Sequence, residues 1–400
     1  MVSSTIDHMV ALTIFLAATL LFIGLFNQTI QTAVIYQNHR ATANKASDVL
    51  DSILLNSGIP STWGRSDAVP TGFGLQDPEF TQYKLDAFSL MHLAPTTVGT
   101  VLVGGAGTVY SNMSAGPGSY LFMQQASTVN YSSAQKMLGV NGTYGFQLRV
   151  TPILTVGITE TQLPSQLILS MHVEGTGFPL ANARVSYKLF LLSNPYPSFT
   201  VLNGTAVTDS QGSVTKSFPE VSSSSQSYAF VASVHLSGLN GVGYCVRSAP
   251  QSPSVIPLIG DMSSNQVILA HSDDFNANSV ETQLSYNTTM VNFNSQDFTL
   301  QGLQVNSTGT VNYGPGYSYG QVNLSNDPGI LIIAYNLTAT QGGFSLMPWG
   351  LSSLPYTVTF GGDPANQEWV STDMRQVTVN GVAYHAQIAI WSYQGIQVNS

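Results

Sequence analysis

The chain has 400 residues, enough for two or three domains, yet only 8% of them are charged, against about 25% in ordinary soluble proteins. The formal net charge is −9, and from position 250 onward the single Lys or Arg is Arg375, which argues against a surface for nucleic acid or anionic lipid. Cys245 is the single cysteine, so an intramolecular disulfide and a cysteine-built zinc site are excluded.

The first predicted element is a membrane helix. Residues 9–26 carry no charge, and eighteen apolar residues are enough to cross a hydrocarbon core of about 30 Å. The alternative is a cleaved secretory signal, which has a basic N-terminal region and a small-residue cleavage site. Asp7 is the only charged residue ahead of Met9, and no such site follows Phe26, so we favour a retained anchor that contacts lipid through residues 9–26.

The helix is predicted to continue beyond the membrane as an amphipathic segment. Its apolar positions recur every three or four residues, at Ala43, Ala46, Val49, Leu50, Ile53 and Leu54. The sequence Asn56-Ser-Gly58 followed by Pro60 predicts its end. A continuous helix from Ser4 to Leu55 would be about 75 Å long, with its outer half packed under a globular head. This first element spans residues 1–60.

The segment from Ser4 to Gly64 resembles the N-terminal region of archaeal type IV pilin-like proteins. The resemblance rests on the hydrophobic run, its amphipathic continuation and the exit Asn56-Ser-Gly-Ile-Pro-Ser-Thr-Trp-Gly64. It implies a membrane-anchored cell-surface protein in which a long helix presents a β-rich head, with homo-oligomer or filament formation as an open alternative.

Two signals disagree about the side of the membrane on which the body lies. His39, Arg40 and Lys45 follow the span and no Lys or Arg precedes it, a distribution that predicts a cytoplasmic body. Asn-x-Ser/Thr sequons predict an exported, glycosylated body, and we give them more weight. The sequons of the body are at Asn112, Asn130, Asn141, Asn203, Asn287, Asn306, Asn323 and Asn336, while Asn27 lies at the membrane edge.

Beyond residue 64 the chain is predicted to be mainly β, with two or more β-sandwich-like domains. Short alternating runs bounded by Gly, Pro, Asn and Ser predict strands at 147–153, 166–173, 183–191, 228–236, 330–335 and 356–360. Asn380-Gly381 predicts a tight hairpin turn within residues 375–391. The predicted division is a membrane-proximal region at 61–157, a sandwich at 158–248, a Pro-rich linker at 249–257 and a second sandwich at 258–400.

The block at 158–248 resembles immunoglobulin-like and transthyretin-like modules. The likeness rests on the sequence from Gly175 to Val185 and on Asn203-Gly-Thr-Ala-Val-Thr-Asp-Ser-Gln-Gly212. Asp209 is expected to cap a turn through its side chain, with Gly212 at positive φ. Such modules serve as spacers or adhesive units and imply no catalytic residues.

The densest group of oxygen-bearing side chains is a weak candidate calcium loop formed by Asp274, Asn276, Asn278 and Glu281, beside His271. Its spacing departs from the EF-hand pattern, and a solvated loop is the alternative. No other cofactor is predicted.

Catalytic signatures are missing from the sequence. It has neither a G-x-S-x-G elbow nor an H-E-x-x-H pair. Paired carboxylates for glycoside hydrolysis would have to come from Asp363, Glu368 and Asp373, and a surface hydrolase would use His271, Glu281 or Glu368.

Aromatic residues offer contacts for a partner. The loop from Tyr313 through Tyr317 to Tyr319 is the first candidate, and Trp349, Trp369 and Trp391 are of a type that binds sugars or proteins when exposed. The leading prediction is a non-enzymatic surface protein with a structural or adhesive role, in contact with protein or glycan partners. A carbohydrate-binding module and a surface hydrolase are the alternatives.

Overall fold

The computed structural model is mainly β, with a long N-terminal helix followed by several β-sheets, which confirms the predicted order of a long helix and a β-rich body. It describes residues 2–65, 69–79, 81–93, 96–103, 106–112, 120–124, 128–163, 166–221, 226–248, 253–261, 263–275, 282–294, 296–313, 318–338, 341–350 and 357–393. The helices are α1 (Val2–Leu54), α2 (Ala87–Met91) and α3 (Tyr131–Met137). The strands are β1 (Thr96–Val103), β2 (Ala106–Asn112), β3 (Phe122–Gln124), β4 (Tyr144–Pro152), β5 (Leu154–Leu163), β6 (Gln166–Gly175), β7 (Phe178–Pro179), β8 (Arg184–Leu192), β9 (Phe199–Val207), β10 (Ser213–Phe218), β11 (Tyr228–Leu236), β12 (Leu239–Arg247), β13 (Val255–Asp261), β14 (Gln266–His271), β15 (Thr282–Phe293), β16 (Leu300–Tyr313), β17 (Gly320–Asn323), β18 (Gly329–Thr338), β19 (Gln341–Trp349), β20 (Val358–Gly361), β21 (Ser371–Val379) and β22 (Val382–Ser392).

Helix α1 is continuous, as predicted, and one face of its last turns is buried in the body. The buried side chains follow the helical period and are Ala46, Val49, Leu50, Ile53 and Leu54. The sequence also placed Ala43 in this stripe, which is wrong: Ala43 is exposed, and burial of the stripe begins one turn later at Ala46. The helix ends where Asn56 accepts a hydrogen bond from the Gly58 N–H, and Gly58 has a φ of +82°. A Cβ at Gly58 would also collide with the Trp63 ring, so both the backbone conformation and the available space require glycine here.

One antiparallel sheet, in the order β20-β4-β22-β21, lies under the buried part of α1, which packs across β21 and β22. Its inner face carries Phe146, Leu148, Ile388 and Ile390, all buried. Strands β21 and β22 form the predicted hairpin, in register from Ser371↔Ile390 to Val379↔Val382. Asn380 and Gly381 have φ values of +46° and +84°, the positive pair that a two-residue hairpin needs. We call this four-stranded unit the anchor sheet.

Two further sheets, β10-β6-β5 with β7 and β12-β11-β8-β9, share one hydrophobic core and form a sandwich-like pair. Leu167, Leu169, Met171 and Val173 of β6 alternate into this core, since side chains in a strand point to opposite faces in turn. The turn before β10 is as predicted. The Asp209 carboxylate accepts from the backbone N–H of Gln211 and of Ser213, and Gly212 has a φ of +70°.

The remaining sheets have the orders β16-β15-β18-β19 and β1-β2-β3-β13-β14-β17. The anchor sheet combines β4 with β20, β21 and β22, and the six-stranded sheet combines β1–β3 with β13, β14 and β17. Strands from the predicted regions 61–157 and 258–400 therefore share two sheets, and β13 starts at Val255, within the predicted linker 249–257. The division into domains stays a prediction.

Candidate functional site

The junction between α1 and the anchor sheet is held by a small charged cluster. Arg375 of β21 forms ion pairs with Asp51 of α1 (Nε to Oδ1, 3.3 Å) and with Asp373 (Nη1 to Oδ1, 2.7 Å), and it donates to the Ser47 hydroxyl at 2.9 Å. Arg375, the one Lys or Arg among the last 150 residues, thus links α1 to the anchor sheet. Desolvation raises the pKa of Asp373, but hydrogen bonds from Arg375 and from the Met374 N–H outweigh it and bring the pKa below its ordinary value.

Next to this junction, on the side toward the free part of the helix, lies a cleft of about 330 Å³. One wall is the α1 face with Asn38, His39 and Thr42, and the other is the segment before β21 together with the ends of β4 and β22. The lining side chains are Asn38, His39, Ala41, Thr42, Thr143, Tyr144, Gln367, Glu368, Trp369, Ser371, Ser392 and Tyr393. We call this space the helix-side cleft.

Two aromatic rings in the helix-side cleft are half exposed, Trp369 and Tyr393, each at 51%. Trp369 meets the His39 ring edge to face, with 4.4 Å between ring centroids. The Tyr393 hydroxyl accepts from Gln135 Nε2 at 3.1 Å, and its backbone N–H donates to the Thr143 carbonyl at 3.0 Å. Both rings are therefore held in place while about half of each side chain meets solvent.

Gln135 of α3 fixes the floor beside Tyr393. Its side-chain amide donates to the hydroxyls of Tyr131 and Tyr393 and to the carbonyl of Tyr144. The Tyr131 hydroxyl in turn accepts from the Phe146 N–H at 2.9 Å, and burial raises the pKa of Tyr131 far above its usual range. This network ties the cleft to the core of the anchor sheet.

Only part of the predicted calcium loop can be placed. Asp274 accepts from the His271 N–H at 3.2 Å, and its other carboxylate oxygen is buried with no hydrogen bond from the described residues. Burial raises the pKa of Asp274 to about 6. Asn276, Asn278 and Glu281 lie outside the described residues, so the calcium site stays a prediction. Among the residues the structure describes, His, Cys, Asp and Glu form no group of three suited to a metal ion.

His271 is fully buried and its ring is held by local contacts. Its Nε2 lies 2.9 Å from the Thr282 hydroxyl, its Nδ1 accepts from the Asp273 N–H, and the ring stacks on Tyr313 at 6.0 Å. Burial lowers the pKa of His271, which favours the neutral ring, although Asp273 acts in the opposite direction.

The three acids predicted as possible paired carboxylates are not brought to one site by any contact of the described residues. Asp363 accepts from the Ala365 N–H in a turn, Asp373 pairs with Arg375, and Glu368 is an exposed wall of the helix-side cleft.

The predicted partner-contact tyrosines have different surroundings. Tyr313 and Tyr319 are half-buried, with Tyr319 packed against the core on one face of the six-stranded sheet, whereas Tyr317 lies outside the described residues. Their role in partner contact stays a prediction.

The sequons fall into three groups. Exposed side chains are Asn130, Asn141, Asn203 and Asn323. Asn287 and Asn336 are half-buried in central strands, and Asn336 accepts from the Ser285 N–H. The side chains of Asn112 and Asn306 lie outside the described residues.

The helix-side cleft was missed by sequence reasoning. The sequence singled out Trp369 as an aromatic residue of a type that binds sugars or proteins. The residues that line the cleft with it lie more than 300 positions earlier, in the helix, and at the end of β22. No spacing or motif connects His39, Trp369 and Tyr393, so only the folded chain brings them together.

No protein-family model and no curated protein matches this chain. Among solved structures, trypsin-activated alpha-2-macroglobulin from Escherichia coli is 10% identical, covering 67% of this chain and 20% of its own, with a TM-score of 0.21. A Salmonella alpha-2-macroglobulin is 11% identical, covering 70% and 22%, with a TM-score of 0.19. A segment of two fibronectin type III domains from chicken tenascin is 9% identical, covering 49% and 99%, with a TM-score of 0.17. This chain thus spans about a fifth of the macroglobulins, and likenesses this low support no inference about function.

Proposed function

We propose that this chain is a membrane-anchored, non-enzymatic protein of the cell surface, in which the N-terminal half of α1 lies in the bilayer and the C-terminal half carries the β-rich body. The supporting observation is the division of α1 into two unlike halves. Large apolar side chains before residue 27 are half exposed or more, for example Leu20 at 69% and Phe22 at 70%. By contrast, Val49, Leu50, Ile53 and Leu54 form part of the core. Leaving one such side chain in water costs about 1.5–3 kcal/mol, so the free half requires an apolar surrounding.

The lengths fit this arrangement. Residues 9–26 give a rise of about 27 Å, close to the hydrocarbon core of about 30 Å. The helix then continues without a break for about 17 Å from Asn27 to Asn38, where its contact with the body starts at the helix-side cleft. The headgroup region is only about 5–8 Å deep on each side, so the body stands clear of the membrane on a helical stalk.

An extracellular body is supported by its surface chemistry. Four exposed sequons lie on the body, at Asn130, Asn141, Asn203 and Asn323, and the chain has few charged residues to hydrate it. Attached glycans would supply that hydration. Arg40 and Lys45 next to the span favour the opposite orientation, so the test must report the side of the membrane directly.

A structural or adhesive role, rather than catalysis, is supported by the way the polar groups singled out in the sequence are used. Asp373 fastens the helix through Arg375, and His271 is held by Thr282 and stacked on Tyr313. Sandwich-like sheet pairs of the kind formed by β5–β12 suit a spacer between membrane and partner.

The experiment is membrane fractionation of cells producing the chain, followed by protease added to intact cells and intact-mass analysis of the purified protein. We expect the full-length chain in the membrane fraction, with its body degraded from outside. Substituting Leu16→Lys together with Leu20→Lys should release it, because each charge costs about 2.5–3.5 kcal/mol near the centre of a span. The matched control is Val207→Lys, an exposed position on the body.

A chain recovered in the cytosol and protected from external protease would contradict the proposal. A mature mass lacking residues 1–26 with the protein released to the medium would show a cleaved signal instead of an anchor. Electron microscopy of material sheared from the cells then distinguishes single anchored molecules from subunits of a filament.

A further inference from the structure

The helix-side cleft has the two components that a sugar requires from a protein. A pyranose presents C–H groups on its faces, which pack on aromatic rings, and hydroxyls on its rim, which both donate and accept hydrogen bonds. Trp369 and Tyr393 supply half-exposed rings. Neutral amides and hydroxyls line the remainder, at Asn38, Thr42, Gln367, Ser371 and Ser392.

The rings are set in position before any ligand arrives. Trp369 packs edge to face on His39, which lies on a continuous helix, and Tyr393 is held through its hydroxyl by Gln135 and through its backbone by Thr143. Side chains already fixed lose little conformational entropy when a ligand binds, which favours affinity in a shallow site.

The charge of the lining selects the class of sugar. Among the lining residues that the structure describes, Glu368 is the one carboxylate, and none is Lys or Arg. Phosphate, sulfate and acidic sugars would meet this carboxylate with no Lys or Arg beside it, whereas the hydroxyls of a neutral sugar can donate to it.

We propose that the helix-side cleft, with Trp369 and Tyr393 as stacking platforms and Glu368 as hydroxyl acceptor, binds a neutral oligosaccharide.

The location limits where that oligosaccharide comes from. Asn38 to Thr42 lie roughly 18–24 Å beyond Phe26 along the helix, above the depth of ordinary headgroups. A soluble glycan and the extended sugar of a glycolipid both reach this level. A third source is a glycan attached at Asn141, because Thr143, the last residue of that sequon, lines the cleft.

The test uses tryptophan fluorescence of the full-length chain in nanodiscs. The other tryptophans, Trp63, Trp349 and Trp391, are only 0%, 0% and 3% exposed, so acrylamide quenching reports mainly on Trp369. The probes are soluble mannose, glucose, galactose and N-acetylglucosamine oligomers. We expect at least one of them to protect Trp369 from quenching in a saturable manner, and to bind the immobilised protein with a matching affinity.

Variants separate the cleft from the remaining surface. Tyr393→Ala and Glu368→Gln should each weaken binding about tenfold or more, and Trp369→Ala should abolish it in the immobilised assay. The matched control is Met374→Ala, at the same 51% exposure on the outer face of β21, which should leave the affinity unchanged. Circular dichroism confirms that each variant is folded.

Two further arms identify the source of the sugar. Protection of Trp369 that appears only in nanodiscs containing a neutral glycolipid assigns a membrane glycolipid. In that case the immobilised assay should show glycolipid binding by the parent chain and none by Trp369→Ala. Quenching that increases in Asn141→Gln without added sugar assigns the attached glycan. If no oligomer or glycolipid protects Trp369, and Asn141→Gln quenches like the parent chain, the proposal is wrong. Equal binding by Trp369→Ala and Met374→Ala would also overturn it. Neither result bears on the membrane anchor, which fractionation tests separately.

Discussion

Replacing Ile53 by alanine tests whether the end of α1 is part of the body's core. The Ile53 side chain is fully buried, within the hydrophobic cluster that also contains the inner face of the anchor sheet. Removing three carbons there loses their transfer free energy and leaves a cavity, and such substitutions cost about 2–5 kcal/mol of unfolding free energy. The same substitution at Ile23, which is 57% exposed on the same helix, is the control. Because isoleucine and alanine differ in helix propensity equally at both sites, that contribution cancels.

The assay is urea unfolding of the detergent-solubilised chain, followed by tryptophan fluorescence. Trp63 is a suitable reporter because it is fully buried and its ring lies against Gly58, just after the helix ends. We expect Ile53→Ala to lower the free energy of unfolding by about 3 kcal/mol and Ile23→Ala to change it by less than about 0.5 kcal/mol. Equal effects of the two substitutions, or none from Ile53→Ala, would refute the burial of α1 in the body.

Three other predictions follow from single groups. Arg375→Ala should lower the unfolding free energy by about 1 kcal/mol, since the ion pairs of Arg375 are partly exposed. A double-mutant cycle with Asp51→Ala should show coupling between the two residues, and strictly additive effects would contradict this ion pair. Asp274 has a pKa raised by burial to about 6, so the folded state holds its proton more tightly than the unfolded chain does. The contribution of Asp274 to stability should therefore rise as the pH falls from about 7 to about 4. Comparing the urea midpoints of the parent chain and of Asp274→Asn across this range separates the contribution of Asp274 from that of His271. Parallel pH curves for the two proteins would refute the raised pKa. Burial raises the pKa of Cys245 to about 12, so its thiol should resist maleimide in the native protein and react in urea; rapid native labelling would contradict this.

The sequence by itself determined those features that depend on neighbouring residues. The uncharged run from Met9, the three- and four-residue period up to Leu54 and the stop at Gly58 define α1, because helix formation and termination are decided within a few residues of chain. The Asn380-Gly381 hairpin and the turn closed by Asp209 follow for the same reason. Short alternating runs bounded by turn residues indicated a mainly β body, and composition indicated its low charge.

Tertiary structure decided what depends on residues far apart in the chain. Strand β4 pairs with β20 and β22, more than 200 residues later, and alternating apolar patterns are alike in every strand, so the sequence does not specify which strands become neighbours. Ala43 shows the same limit, since the helical period predicts a face of the helix but not where along the helix that face becomes buried. The helix-side cleft depends wholly on such pairings. His39, Trp369 and Tyr393 meet only because the anchor sheet carries the ends of β21 and β22 to one side of α1, and the fixed geometry of packed elements, rather than any local motif, places them there.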